Sequence, residues 1–364
     1  MRFEGETDQR RPQEARPTSG VSRRQVLQGG AALAGAVVLG GPGHAEGPAP
    51  EERPSLVILW LNGGPAGLFN SADSFLASGA FGVKPDNVRD LGNGLVVDAG
   101  SFGALPATAR AHMASVNFRH GIVRPHDHAR AAVLQSGPRS QLLRLAAVMP
   151  DAPIRCAVVN DLGLPVGVAA NAPAEGGAGL ERVLDVANAA RPLGRGLHDI
   201  RAAYGASVDT TLVCDQRSTF AAVEVMVRTG ASVIFAQPAY TGRTDRQFDT
   251  HGDDAGMAAR EVMAPITPSL STFLDRVLGL PGRNVVTILV GEFSRTIPES
   301  DHEPGGTATV IGKYVKTGTA GPQRADGSPP EMAPPPEALW AFAAAVLHIA
   351  GTPFGRNPHP ELTL

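Results

Sequence analysis

The run Ser55-Leu56-Val57-Ile58-Leu59-Trp60-Leu61-Asn62, closed by Gly63-Gly64-Pro65, constrains the fold of this chain more than any other stretch. A half-exposed strand alternates apolar and polar residues, and this one does not. A near-continuous apolar run ended by turn formers describes a strand buried on both faces, as in parallel sheets covered by helices. Further strands are predicted at residues 114–118, 154–159, 231–235 and 285–290, and helices at 129–135, 180–190, 218–229, 254–278 and 336–349. Alternation without a break in composition predicts one α/β domain over residues 55–364, with helices on both faces of the sheet. The turn after the first strand is where such a sheet places its ligands.

The segment ahead of the domain reads as a targeting peptide. A polar leader precedes Ser22-Arg23-Arg24-Gln25-Val26-Leu27, and a weakly apolar Ala/Gly-rich run follows at 31–39. Paired arginines before such a run mark the twin-arginine export route, and Gly43-His44-Ala45 supplies small residues for cleavage before Glu46. This makes 1–45 a signal peptide and 46–54 a Pro- and Glu-containing linker, with the twin-arginine translocation machinery as a partner. The expected location is the periplasm or outside the cell. No transmembrane anchor is expected in the mature chain, since the run at 31–39 and the apolar helix around Trp340 are both too short to span a bilayer. Cys156 and Cys214 lie in separate strand-like runs; two buried thiols are the default, and a pairing is open. The formal net charge of −3, with no dense Lys/Arg stripe in the body, gives no electrostatic footprint for nucleic acid, and no such partner is expected. The loop at 319–335, rich in Pro and Gly, is expected to be exposed.

Three clusters carry candidate chemistry. In an extended Asp249-Thr250-His251, residues two apart point the same way, so the carboxylate and the imidazole converge on one point that suits a metal ion. Adjacent Asp301 and His302 point to opposite sides of an extended backbone, which lets one ligate while the other turns to a second metal or to substrate. Each pair is expected to close a strand, so that both lie at the carboxyl edge of the sheet. The third cluster, His120 to His128, follows a short apolar strand. Its His126 and His128 are candidates for contacting substrate or sharing a metal. The alternative is that Asp127 caps a helix beginning at His128 and the imidazoles are solvated. Mixed Asp/His ligation suits a divalent metal ion, with Zn, Mn, Ca or Mg all compatible.

The order of these features resembles an exported family known as domain of unknown function 1501, which is similar to sulfatases and belongs with the alkaline phosphatase superfamily. The features are the arginine pair, the apolar strand with Gly63-Gly64, the His-rich turn, Phe248-Asp249-Thr250-His251, Glu292-Phe293-Ser294-Arg295-Thr296, Asp301-His302 and the closing helix before Ile349-Ala350-Gly351-Thr352-Pro353. The resemblance implies a three-layer α/β/α sandwich with a mainly parallel sheet, and a metal held by Asp249, His251, Asp301 and His302. It implies hydrolysis of phosphate or sulfate esters, with an anionic ester as substrate. It also places Glu292 and Arg295 in the catalytic set, Glu292 orienting a ligand histidine and Arg295 meeting either an anionic substrate or Glu292 itself. The chain departs from the family at Gly63-Gly64-Pro65-Ala66-Gly67, where members commonly carry an Asp at the fourth position, and it lacks the Cys-x-Pro-x-Arg segment of sulfatases. These departures favour the alternative of a non-catalytic member that binds an envelope polymer or a partner protein through the old pocket.

Overall fold

In the computed structural model, residues 52–137, 139–159, 183–185, 198–205, 216–238 and 247–364 are described. The expected signal peptide, residues 46–51 of the expected linker, Cys214 and most of the helix expected at 180–190 lie outside them. Eight strands form the main sheet: β1 (Arg53–Trp60), β2 (Met113–Arg119), β3 (Cys156–Val159), β4 (Val183–Asp185), β5 (Val233–Ala236), β6 (Arg283–Val290), β7 (Gly305–Gly312) and β8 (Gly318–Thr319). Their order is β8-β2-β7-β6-β1-β5-β3-β4. Only β7 runs against its neighbours, β6 and β2; the remaining pairings are parallel.

The first strand is central, hydrogen-bonded to β6 on one side and β5 on the other. Its unbroken apolar character follows from its two faces. Val57 and Leu59 pack with Phe220, Val223, Phe273 and Leu274. Leu56, Ile58 and Trp60 enter the opposite core with Leu142, Leu145, Trp340 and Phe342. The helices α4 (Gln216–Arg228) and α6 (Ile266–Val277) thus cover one face, and α2 (Gln141–Val148) and α7 (Glu337–Val346) the other. Each fully buried Leu, Ile or Phe contributes about 1.5–3 kcal/mol, so a helix-free face on β1 would expose more than folding can offset. The architecture is a mixed α/β sandwich of three layers. The shorter helices α1 (His126–Leu134), α3 (His198–Tyr204) and α5 (Met257–Met263) complete the set used below.

Several expectations are corrected. Residues 183–185 form the edge strand β4 rather than part of a helix, because β3 offers them a parallel partner, and tertiary pairing overrides helical propensity. The helix expected at 254–278 is two, α5 and α6, joined at Ala264-Pro265; proline lacks an N–H and crowds the preceding turn. The loop at 319–335 is tied down at several points. The Gln323 side chain donates to Ser294 Oγ at 2.5 Å, its carbonyl accepts from Ser74 Oγ at 2.6 Å, and Asp326 O accepts from Ile297 N at 2.8 Å. Cys156 is a buried free thiol whose pKa burial pushes up to about 12, so it packs as a small hydrophobe and not as a nucleophile. Among the described residues, no helix is long and apolar enough to cross a membrane.

Candidate metal centre

The parallel strands β2, β6 and β1 all end at one edge of the sheet, and the antiparallel β7 begins there. The chain therefore delivers His120, Glu292 and Gly63 from strand ends, and His302 from just before β7, to one place. Gly63 and Gly64 make the convergence tight. Both have positive φ, and a Cβ on Gly63 would lie 2.3 Å from Asp249 N, while one on Gly64 would lie 2.2 Å from Phe293 O. Only glycine lets three backbones meet so closely.

Asp249 stands in a tight turn and not at a strand end, since Thr250 N donates to Phe248 O at 2.9 Å. That corrects the extended reading, yet the two side chains still converge: His251 Nε2 lies 3.0 Å from Asp249 Oδ1. His302 arrives by another route. The two-residue strand Ser294–Arg295 pairs antiparallel with His302–Glu303, setting His302 opposite Arg295. Both then reach Asp249 Oδ1, His302 Nε2 at 3.2 Å and Arg295 Nη2 at 2.8 Å. Asp301 does not turn away from His302 as expected, because its Oδ1 accepts from the His302 N–H at 2.8 Å and lies 3.6 Å from His251 Nδ1.

One ligand atom each from His126, Asp249 and His302 lie within 4.8 Å of one another, and the same holds for His251, Asp301 and His302. His126, which the sequence offers either for substrate contact or for sharing a metal, therefore stands with the ligand-type set. Helix α1 begins at His126 rather than at His128, and this sets its imidazole inward while His128 is exposed, two residues on and about 200° around the helix.

Glu292 fixes His126. Its carboxylate is fully buried, accepts the Gly63 N–H at 2.9 Å and lies 2.8 Å from His126 Nδ1. With Nδ1 donating to Glu292, the neutral ring carries a lone pair on Nε2, which faces Asp249 Oδ2 across 3.6 Å. In that tautomer the two facing acceptors are spaced as ligands of one shared cation would be. His302 Nδ1 is also buried without a partner, and the donor set of imidazole and carboxylate suits a divalent metal. On these grounds the residues fit the metal that the sequence implies. Phe293 stacks on His302 with ring centroids 4.2 Å apart and 11° between planes, and meets the edge of His126 at 5.1 Å.

Arg295 is the residue that sequence reading placed least well. It is fully buried and pairs with Asp249, not with Glu292. Its Nε donates to Gly64 O at 3.2 Å, Nη1 to Ser300 O at 3.1 Å, and Nη2 to Phe248 O at 2.9 Å and to Gly63 O. It is a brace beneath the site rather than a group facing substrate. Burial alone would raise the Asp249 pKa. Hydrogen bonds from His302 and Arg295, with the Arg295 charge, outweigh that and hold the carboxyl far below the usual carboxylate range. Burial and the Arg295 charge lower the pKa of His251, which favours the neutral, ligating form. His120, which the sequence put in the same cluster, is a scaffold residue. Its Nδ1 accepts the Ile122 N–H at 3.1 Å, so its Nε2 donates to Glu292 O at 2.7 Å.

On the first-strand side, among the described residues, no acid of the Gly63–Asp73 stretch belongs to either ligand-type group. Ala66 is only 3% exposed. Asn62 Oδ1 is taken by Arg130, and Asn70 is held between Thr307 Oγ1 at 3.0 Å and Thr309 Oγ1 at 2.9 Å. At the outer rim Arg124, 74% exposed, lies 3.5 Å from Asp301.

No family model matches the sequence, and no curated protein does. Among solved structures, the chain is similar to the lipoteichoic acid synthase LtaP from Listeria monocytogenes, at 13% identity over 93% of this chain and 81% of that one, with a TM-score of 0.39. So distant a likeness carries no argument about the site, and the fold class rests on the sheet order and its two covered faces.

Proposed function

We propose that this chain is a sulfatase-like, metal-dependent hydrolase of phosphate or sulfate esters, exported by the twin-arginine route and acting in the cell envelope. The observation that carries the reading is the convergence of His126, Asp249, His251, Asp301 and His302, set over a buried Glu292 and Arg295 that orient two of them. His126, Asp249 and His302 would hold the ion, with His251 and Asp301 beside them. When bound, a divalent ion supplies Lewis-acid polarisation of an ester oxygen and a lowered pKa for water.

The chain's own residues supply the rest. Glu292 keeps the proton of His126 on Nδ1, leaving Nε2 free to bind. Arg295 keeps Asp249 ionised and fixed in angle. Phe293 walls one side of His302 against water. His251, its pKa lowered and its ring half-exposed, is a proton acceptor at the mouth of the site. Arg124 gives the rim a positive charge toward an anionic ester.

Elemental analysis of the folded, exported protein tests this. Near-stoichiometric metal is expected in the native chain and none in an Asp249→Ala/His302→Ala variant, with ester hydrolysis lost in parallel. Metal in neither protein defeats the proposal. The buried methyl of Ala66 favours a second reading, a non-catalytic member that binds an anionic polymer. Bound metal with no turnover across phosphate and sulfate esters would select it.

A further inference from the structure

At the opposite edge of the sheet, where β1 and β6 begin, two arginines stand together without an acid. Arg53 and Arg283 occupy the same register position on neighbouring parallel strands, so their side chains leave the sheet on one face. Ser55, two residues along β1, shares that face. Arg283 Nη2 donates to Ser55 Oγ, which donates in turn to Ala231 O at 2.5 Å, and Nη2 itself lies 3.4 Å from that carbonyl.

Arg283 is only 9% exposed, yet its buried Nε has no partner. Among the described residues no carboxylate pairs with Arg53 or Arg283. Lys313, which donates to the Arg283 carbonyl at 2.9 Å, is paired with Glu52 and leaves that acid no free role. Burial, then the like charge of Arg53, push the Arg283 pKa down to about 10. It remains a cation at neutral pH. A buried charge is costly unless paired, and here a second cation stands beside it. Gly230 lies beside the guanidinium, and a Cβ there would be in van der Waals contact with Arg283 Nη1 at 3.7 Å and Pro153 Cδ at 3.5 Å, so an ion would be met from the Arg53 side, at the surface.

We propose that Arg53 and Arg283 form a binding site for a small inorganic oxyanion of the phosphate or sulfate class, separate from the metal centre at the other edge of the sheet. The buried guanidinium would contribute fixed N–H donors, held in place by Ser55 and Ala231, while the exposed Arg53 closes over the ion. Guanidinium groups match the paired oxygens of such ions in charge and geometry.

The test is calorimetric titration of the full chain with sodium phosphate and with sodium sulfate, against sodium chloride at equal ionic strength. An Asp249→Ala/His302→Ala background with chelator present silences the metal centre. Saturable binding with a raised melting temperature is expected. Arg53→Gln should weaken binding several-fold without changing the melting temperature in chloride, and Arg283→Gln should abolish it. Arg53 is at the surface, so its variant remains informative even if Arg283→Gln fails to fold. Arg124→Gln, at the rim of the other site, should leave binding unchanged. Absence of saturable binding overturns the proposal, as does binding insensitive to Arg53→Gln or lost with Arg124→Gln. Because the background carries no metal centre, failure here leaves the hydrolase reading standing, and failure of that reading leaves this one.

Discussion

Arg295 and Arg283 are both buried arginines, Arg283 at the first residue of β6 and Arg295 in the loop region beyond its last, and they are treated oppositely. Arg295, just past its carboxyl end, meets four carbonyls and the Asp249 carboxylate. Arg283, at its first residue, meets one hydroxyl and one carbonyl and faces another arginine. The first is consumed in holding three loops together around a candidate metal centre. The second keeps an unspent charge. Identical side chains at similar depth thus divide into a brace and a receptor, and the difference lies in how many acceptors the surrounding backbone turns toward each.

The sharpest way to break this comparison is Arg295→Met. It takes the guanidinium donors from the Gly63 and Ser300 carbonyls and leaves the Asp249 carboxylate only its imidazole neighbours, and a loss of about 3–5 kcal/mol is expected in chemical denaturation. A variant as stable as the parent would mean the brace is ornamental. Glu224 provides the anionic counterpart and a smaller effect. Fully buried on α4, it accepts from Tyr204 at 2.7 Å, Arg228 at 2.7 Å and Arg276 at 2.8 Å. Burial opposes its charge, but the bonds from Arg276, Tyr204 and Arg228 win and lower its pKa below 4.5. Its stabilisation is therefore present above that pH and is lost as pH falls through the folded value. Glu224→Gln should cost about 2 kcal/mol near neutrality, and the gap to the parent should close in acid. A gap constant from pH 7 down to pH 3 would count against the ion network as its source. The smallest effect is expected at Arg283→Met. Ser55 Oγ keeps its bond to Ala231 O, so stability in chloride buffer should change by less than about 1 kcal/mol, or rise. A loss as large as that of Arg295→Met would erase the distinction.

Much of the fold was legible in order along the chain. Residues 56–61 read as a doubly buried strand because each meets either the Phe220–Phe273 core or the Trp340–Phe342 core. Gly63-Gly64 was legible because it ends an apolar run, whereas Asp249, His251, Asp301 and His302 were legible only as acid–imidazole pairs, since they come from turns and a short hairpin and not from strand ends. Other features were not. The edge strand β4 looked helical, since pairing with β3 is invisible in a window of sequence. His126 was misplaced by two residues of helix start, and the direction of an imidazole reverses within that distance. Arg295 looked like a partner for Glu292 because the two are near in sequence. Yet the pairing of Ser294–Arg295 with His302–Glu303 turns its guanidinium to Asp249.

The sequence by itself determined the layered α/β class and the residue types gathered at the carboxyl edge, because strand burial and strand ends are written in local patterns of apolar and turn-forming residues. Only the tertiary structure decided which groups face one another: Glu292 to His126, Arg295 to Asp249, and Arg283 to Arg53. Those contacts join segments far apart in the chain, and a charge acquires its role from what the folded backbone leaves within a few ångströms of it.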